Sequence, residues 1–149
     1  MNSGKLHIIL ADDDRDDHLF FKEAMEELKV AAQITTVENG EELMQLLNEK
    51  TNDACHVLFM DLNMPRKNGF ECLEEIKLIA ALKHLPVIIF STSKDEAIVN
   101  EGYKKGAHYY IRKPVAFSQL KAALQKALAL ALRDNLLQPS RDAFIIKGK

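Results

Sequence analysis

Four short runs of almost uninterrupted apolar residues, LHIILA at 6–11, HVLFM at 56–60, PVIIF at 86–90 and HYYIR at 108–112, constrain this chain more than anything else in it. Runs of this length without polar alternation are what strands covered on both faces require. Between them lie stretches with apolar residues at helical spacing, such as Phe20, Ala24 and Leu28, or Phe70, Leu73, Ile76 and Ala80. Alternating strand-like and helix-like segments imply βα units and a mainly parallel sheet.

Strands are expected near 6–11, 33–37, 56–60, 86–90 and 108–111; the second, QITTV, is more polar and suits a sheet edge. Helices are expected over about 14–28, 41–49, from Asn68-Gly69 to Ala80, 95–105, and from Phe117 as far as Asn135. Right-handed crossovers then give a doubly wound α/β fold, a five-stranded parallel sheet in a three-layer α/β/α sandwich, with the loops after the strands on one edge. Ligands of such open sheets bind at that edge.

Each apolar run stops at a residue that carries chemistry. Asp12 and Asp13 follow the first, and adjacent carboxylates suit a hard divalent cation such as Mg²⁺, which takes one or two protein acids plus a phosphate oxygen. The segment ADDDRDD also reads as a set of helix-capping acids that complement the dipole. Asp61, ahead of LNMP, can be a nucleophile that forms an aspartyl phosphate when a metal screens the incoming group, or simply a residue that opens a turn. Lys113 offers an ammonium for Asp61 or for phosphoryl oxygens, and Pro114 behind it permits a cis bond that would fix its direction. Ser91 offers a hydroxyl to a phosphoryl oxygen; Thr92 and Ser93 do the same or cap the next helix. Together these strand ends describe a phosphoryl-transfer pocket.

At 149 residues, 47% hydrophobic and 28% charged, the chain suits one domain with a core that needs no staples. A net charge of −2 argues against nucleic acid or an anionic membrane as main partner. Cys55 and Cys72 lack any metal-binding spacing and read as free thiols of a reducing cytosol. MNSGK leads into the first strand without a signal peptide, and no apolar run reaches the roughly twenty residues of a membrane span, so a cytoplasmic location is expected. Pro139-Ser140 marks the expected end of the packed domain. ALALALR at Ala127 to Arg133 is apolar around its whole circumference and needs cover, either from Leu136, Leu137 and Ala143 to Ile146 folding back or from a second subunit.

The motifs ILADDDRDD, FMDLNMPRKNGFE, PVIIFSTS and GAHYYIRKP resemble the receiver domain of bacterial two-component response regulators over roughly residues 5–133, leaving 134–149 as a C-terminal extension. That resemblance implies a (βα)5 flavodoxin-like receiver fold. It implies Asp61 as phospho-acceptor, Asp12, Asp13 and Asp61 as metal-binding acids, the backbone carbonyl of Asn63 as a further metal ligand, and Lys113 as the phosphate-binding lysine. Ser91 matches the switch hydroxyl, Tyr110 the switch aromatic and Thr92 a position that tunes phosphoryl lifetime, while Asn63 and Lys67 match positions that bear on the attacking water.

An aspartyl phosphate adds about −1.5 to −2 charges. By the resemblance Ser91 is then drawn in, Tyr110 swings inward, and the face of the fourth helix, fifth strand and fifth helix changes. The implied partners are a sensor histidine kinase or histidine phosphotransfer protein and a downstream protein target, with a homodimer through the last helix and tail as a further expectation. The extended single-domain form, with TSK after the fourth strand, looks like the small regulators paired with phytochrome-type and other hybrid kinases.

Other classes fit less well. A phosphatase of the haloacid-dehalogenase type expects DxD, whereas Asp61-Leu62-Asn63 lacks the second acid, and there is no room for a cap domain. A flavodoxin-like cofactor binder expects a Gly-rich loop after the first strand, where three acids would repel a flavin phosphate. A phosphate shuttle or sink within a relay has the same motifs as a terminal switch. The expectation is a signalling protein with intrinsic phosphotransfer and autodephosphorylation only, not an enzyme.

Overall fold

The computed structural model describes residues 6–49, 55–114, 116–133 and 136–148. Strand and helix alternate as β1 (Leu6–Ala11), α1 (Arg15–Glu27), β2 (Ala32–Val37), α2 (Gly40–Asn48), β3 (Val57–Met60), α3 (Gly69–Leu78), β4 (Val87–Ser91), α4 (Glu96–Lys104), β5 (Tyr109–Arg112) and α5 (Phe117–Ala131). A 3-10 turn (Arg141–Ala143) and a short β6 (Ile145–Ile146) follow. All strand pairs are parallel, in the order β2-β1-β3-β4-β5-β6.

Successive strand residues serve opposite faces. Ile8, Leu10, Phe59 and Ile88 meet Phe21, Met25 and Leu124 of α1 and α5, whereas Ile9, Leu58 and Ile89 meet Leu43, Leu73 and Val99 of α2, α3 and α4. Two cores, one per face, are why the runs are apolar without alternation. The more polar β2 lies at the sheet edge, as its composition implies.

Local signals set the helix starts. The Asp14 carboxylate accepts the Asp16 amide at 2.9 Å, Asn39 that of Glu42 at 2.8 Å, and Asp95 that of Ala97 at 2.9 Å. Asn68 and Glu71 form a reciprocal capping box on α3. Because Asp14 caps α1, Asp12 and Asp13 are not consumed by that task.

The sheet gains a sixth strand that the sequence reading does not count: Ile145 and Ile146 pair with Tyr110 and Ile111. Packing therefore continues past Pro139-Ser140. Phe144 is fully buried, edge-on to Tyr103 of α4 at 5.1 Å and 6.1 Å from the Tyr110 ring. The Gln138 amide donates to the carbonyls of Tyr103 (2.6 Å) and Ala107 (2.8 Å), and the Tyr103 hydroxyl donates to the Pro139 carbonyl (2.7 Å). Arg141 binds Asn100 at 2.7 Å and Glu96 at 3.0 Å.

Of the two covers open to the ALALALR stretch, the chain's own tail supplies one, with Ile146 buried in the α5 core. α5 ends at Ala131 rather than reaching Asn135, which lies outside the described residues. Among the described residues no helix is long and apolar enough to cross a membrane.

Candidate functional site

Asp12, Asp61, Ser91 and Lys113 stand together where β1, β3, β4 and β5 end. The strand ladder continues into these residues: the Asp12 amide donates to the Val37 carbonyl (3.0 Å), that of Asp61 to Ala11 (2.8 Å) and that of Lys113 to Ser91 (2.8 Å). The side chains are thereby placed by the sheet rather than by flexible loops. The Lys113 ammonium donates to Asp61 Oδ2 at 2.9 Å and to Asp17 Oδ2 at 2.7 Å, and it lies over the Phe90 ring at 5.3 Å from the centroid. No described peptide bond is cis, so the lysine is aimed by carboxylates and not by an isomerised Lys113-Pro114 bond.

Asp61 is buried, and its Oδ1 accepts the amides of Leu62 (2.7 Å) and Asn63 (3.4 Å). Gly69 opens α3 directly against it: a Cβ there would lie 2.5 Å from the Asp61 carbonyl oxygen, and the Gly69 amide donates to the Leu62 carbonyl at 2.9 Å. Glycine is needed for this close approach.

Asp12 is fully buried. Its Oδ1 accepts the Asp14 amide at 2.9 Å, while Oδ2 lies 2.7 Å from the Lys113 ammonium without an aligned hydrogen bond from any group. Burial pushes the Asp12 carboxyl up to about 7, against the pull of Lys113 and the Asp14 amide. Lys113 shows the converse balance: burial works to lower its pKa, but the carboxylates of Asp12, Asp17 and Asp61 around it outweigh this and hold the ammonium above the ordinary lysine range.

Oxygens of Asp12, Asp13 and Asp61 all lie within 4.8 Å of one another. An oxygen buried without an aligned donor, beside two further carboxylates, fits a hard divalent cation. Such an ion would offset the excess negative charge and polarise a phosphoryl oxygen.

Ser91 is buried, and its hydroxyl accepts the Ser93 amide at 3.2 Å. Tyr110 is found in the inward position, fully buried, with its hydroxyl donating to the Ser93 carbonyl at 3.0 Å; burial raises its pKa. Thr92, Asn63 and Asp13 are exposed at the rim. Lys67 is engaged by Glu75 of α3.

Two contributors were not legible in the sequence. Asp17 reads as one more dipole-matching acid in the opening turn of α1, yet it holds Lys113, a partner 96 residues away. His18 is buried, and its Nε2 lies 2.6 Å from the Asp12 carbonyl, tying α1 to the end of β1. The only available signal was their proximity in sequence to Asp12.

The family model described as the response regulator receiver domain matches residues 8–125. The chain is 27% identical over 121 residues to the chemotaxis protein CheY of Rhizobium etli, covering 81% of this chain and 91% of that protein. It is 29% identical to the C4-dicarboxylate response regulator DctR of Bacillus subtilis, covering 93% of this chain but 61% of DctR. Among solved structures, the phosphorylated cyanobacterial phytochrome response regulator RcpA superposes with a TM-score of 0.74 at 31% identity, covering 85% of this chain and 91% of RcpA. The Mn²⁺-bound response regulator Rcp1 superposes with a TM-score of 0.76 at 25% identity, covering 91% and 99% of the two chains.

Proposed function

This chain belongs to the response regulator receiver domain family, and from that membership we propose that it accepts a phosphoryl group on Asp61 from a phosphohistidine donor and signals through protein contact. The observation that carries the reading is the Lys113 ammonium set between Asp12 and Asp61 at the strand ends. An Asp61 carboxylate oxygen forms the bond to phosphorus while the phosphorus–nitrogen bond to the donor histidine breaks, and the released imidazole takes a proton from solvent. Lys113 and the Ser91 hydroxyl then face phosphoryl oxygens. Asp12, Asp13 and Asp61, with the Asn63 carbonyl, would hold Mg²⁺, a role supported by the Mn²⁺-bound form of Rcp1.

The donor docks on α1 beside the acceptor. Leu19 and Phe20 are 55% and 48% exposed, and Phe20 borders a cleft of about 220 Å³ whose walls include Asp17, Phe90, Lys113 and Phe117. A helix carrying the donor histidine would bury that pair while reaching the pocket. The chain acts in the cytoplasm, as a switch rather than a turnover enzyme.

Output passes through α4, β5 and α5 together with the tail, because Tyr110 touches both Ser93 and Phe144. A homodimer through the last helix and tail is part of the same proposal; Leu132 and Leu137, 39% and 81% exposed, are its available apolar surface. A second reading, a shuttle or sink in a multistep relay, is favoured by the tail's cover of the α4-β5-α5 face. Transfer from phosphorylated Asp61 onward to a histidine phosphotransfer protein would separate the two.

The test is intact-protein mass spectrometry after incubation with acetyl phosphate, with and without Mg²⁺, beside Asp61→Asn. We expect a metal-dependent gain of one phosphoryl group that Asp61→Asn abolishes. Folded protein that gains nothing would overturn acceptance from small donors and leave a binding module.

A further inference from the structure

We propose that Asp17 is a positioning residue for phosphoryl transfer: it fixes the Lys113 ammonium at the place where the phosphoryl oxygens on Asp61 will lie. The proposal rests on Asp61 being the acceptor and goes beyond it, since the roles expected of Asp12, Asp13, Ser91 and Lys113 include none for Asp17.

Lys113 makes two aligned hydrogen bonds, to Asp17 Oδ2 at 2.7 Å and to Asp61 Oδ2 at 2.9 Å. Its approach to Asp12 Oδ2, also 2.7 Å, is unaligned, so Asp12 contributes charge but little direction. Of the two directing partners, Asp61 changes its bonding in the reaction. Asp17 does not, and it is the anchor that persists through the step.

The anchor is itself rigid. Asp17 sits in the first turn of α1, pinned by the Asp14 cap and by the contact of His18 with the Asp12 carbonyl at 2.6 Å. A lysine ammonium on a flexible four-carbon stem needs such a fixed second acceptor to stay directed once its first acceptor becomes an acyl phosphate. Charge aimed in advance at the developing phosphoryl oxygens is the most effective form of electrostatic assistance.

The decisive comparison is the rate of acetyl-phosphate-driven phosphorylation at saturating Mg²⁺ for wild type, Asp17→Ala, Asp17→Ser and Asp17→Asn, read by intact mass. Alanine removes the acceptor, serine is too short to reach the ammonium, and asparagine keeps an acceptor oxygen. We expect alanine and serine to slow the reaction about tenfold, as a misdirected group does, while asparagine stays within about twofold of wild type. A slowly exchanging Lys113 ammonium signal in ¹⁵N NMR should be present in wild type and asparagine and lost in alanine and serine, which a general loss of stability would not produce.

Serine serves if alanine does not fold. Equal rates for wild type, serine and alanine would overturn the proposal, and so would equal slowing by asparagine and alanine, which would assign the effect to charge alone. A wild-type chain that takes no phosphoryl group would instead overturn the acceptor reading, and this inference with it.

Discussion

Burial makes the Asp12 pocket disfavour the ionised carboxylate. Its pKa rises from 3.8 to about 7, so the folded chain binds this proton more tightly than the unfolded one. Ionised Asp12 therefore subtracts from stability; the loss is absent below pH 3.8, grows through the window up to about 7 and is complete above it. We predict that Asp12→Asn stabilises the metal-free protein above pH 7 by about 1–3 kcal/mol, the scale of a buried polar group relieved of desolvation, with no gain near pH 3. Thermal unfolding across pH measures it, and Mg²⁺ should raise the wild-type midpoint but not that of the variant. Gly69→Ala forces a methyl to 2.5 Å from the Asp61 carbonyl oxygen and should cost about 1–3 kcal/mol, read from urea unfolding, while displacing Asp61. At this scale the sequence was informative wherever a chemical residue ended an apolar run, as Asp12, Asp61, Ser91 and Lys113 do. It was silent on Asp17, because the reach to Lys113 depends on how α1 lies across the sheet and leaves no local pattern.

Among the elements, β6 and α5 divide what could be read from what could not. The alternation of βα units was legible because both faces of each central strand are covered, and the polar QITTV was legible as an edge for the converse reason. ALALALR announced a need for cover, but a two-residue strand has no periodicity, so the fold-back of Ile145 and Ile146 was not visible as a strand. Phe144 joins this strand to the site, between Tyr103 and Tyr110. Phe144→Ala should cost about 3–5 kcal/mol in chemical unfolding, as core aromatic truncations do. It should also free the Tyr110 ring, seen as line broadening or ring flipping in NMR; an unchanged Tyr110 would disconnect the tail from the switch. By the resemblance Tyr110 swings inward after Ser91 moves, whereas here it is already inward and closed in by Phe144, so any outward swing must displace the tail.

For the molecule as a whole, the surfaces proposed for donor docking, on α1, and for output, on α4, β5 and α5, lie on different elements and should be separable by mutation. Leu19→Asp with Phe20→Asp, at residues 55% and 48% exposed, should reduce transfer from a phosphohistidine protein at least about tenfold while leaving the acetyl phosphate reaction within about twofold, as loss of an interface anchor without loss of chemistry requires. Parallel loss of both reactions would place these residues in the fold instead. Light scattering tests the proposed homodimer, and a monomer at micromolar concentration in both phosphorylation states would end it. The family was legible from four motifs because its chemistry depends on strand-end residues; partners were not, because surface recognition is written in exposed side chains with no fixed spacing.

The parallel pairing of β6 with β5 has a consequence during synthesis. Domains are assembled as the chain emerges, N-terminal parts first, so β1 to β5 and the acidic pocket can form before residues 145 and 146 have emerged to dock on β5. In that interval β5 is an open strand edge bearing two adjacent tyrosines, the kind of template on which nascent chains pair with one another. The last described strand is thus also a guard, and a chain truncated after Ala131 would display a receiver with a finished pocket and an unguarded border.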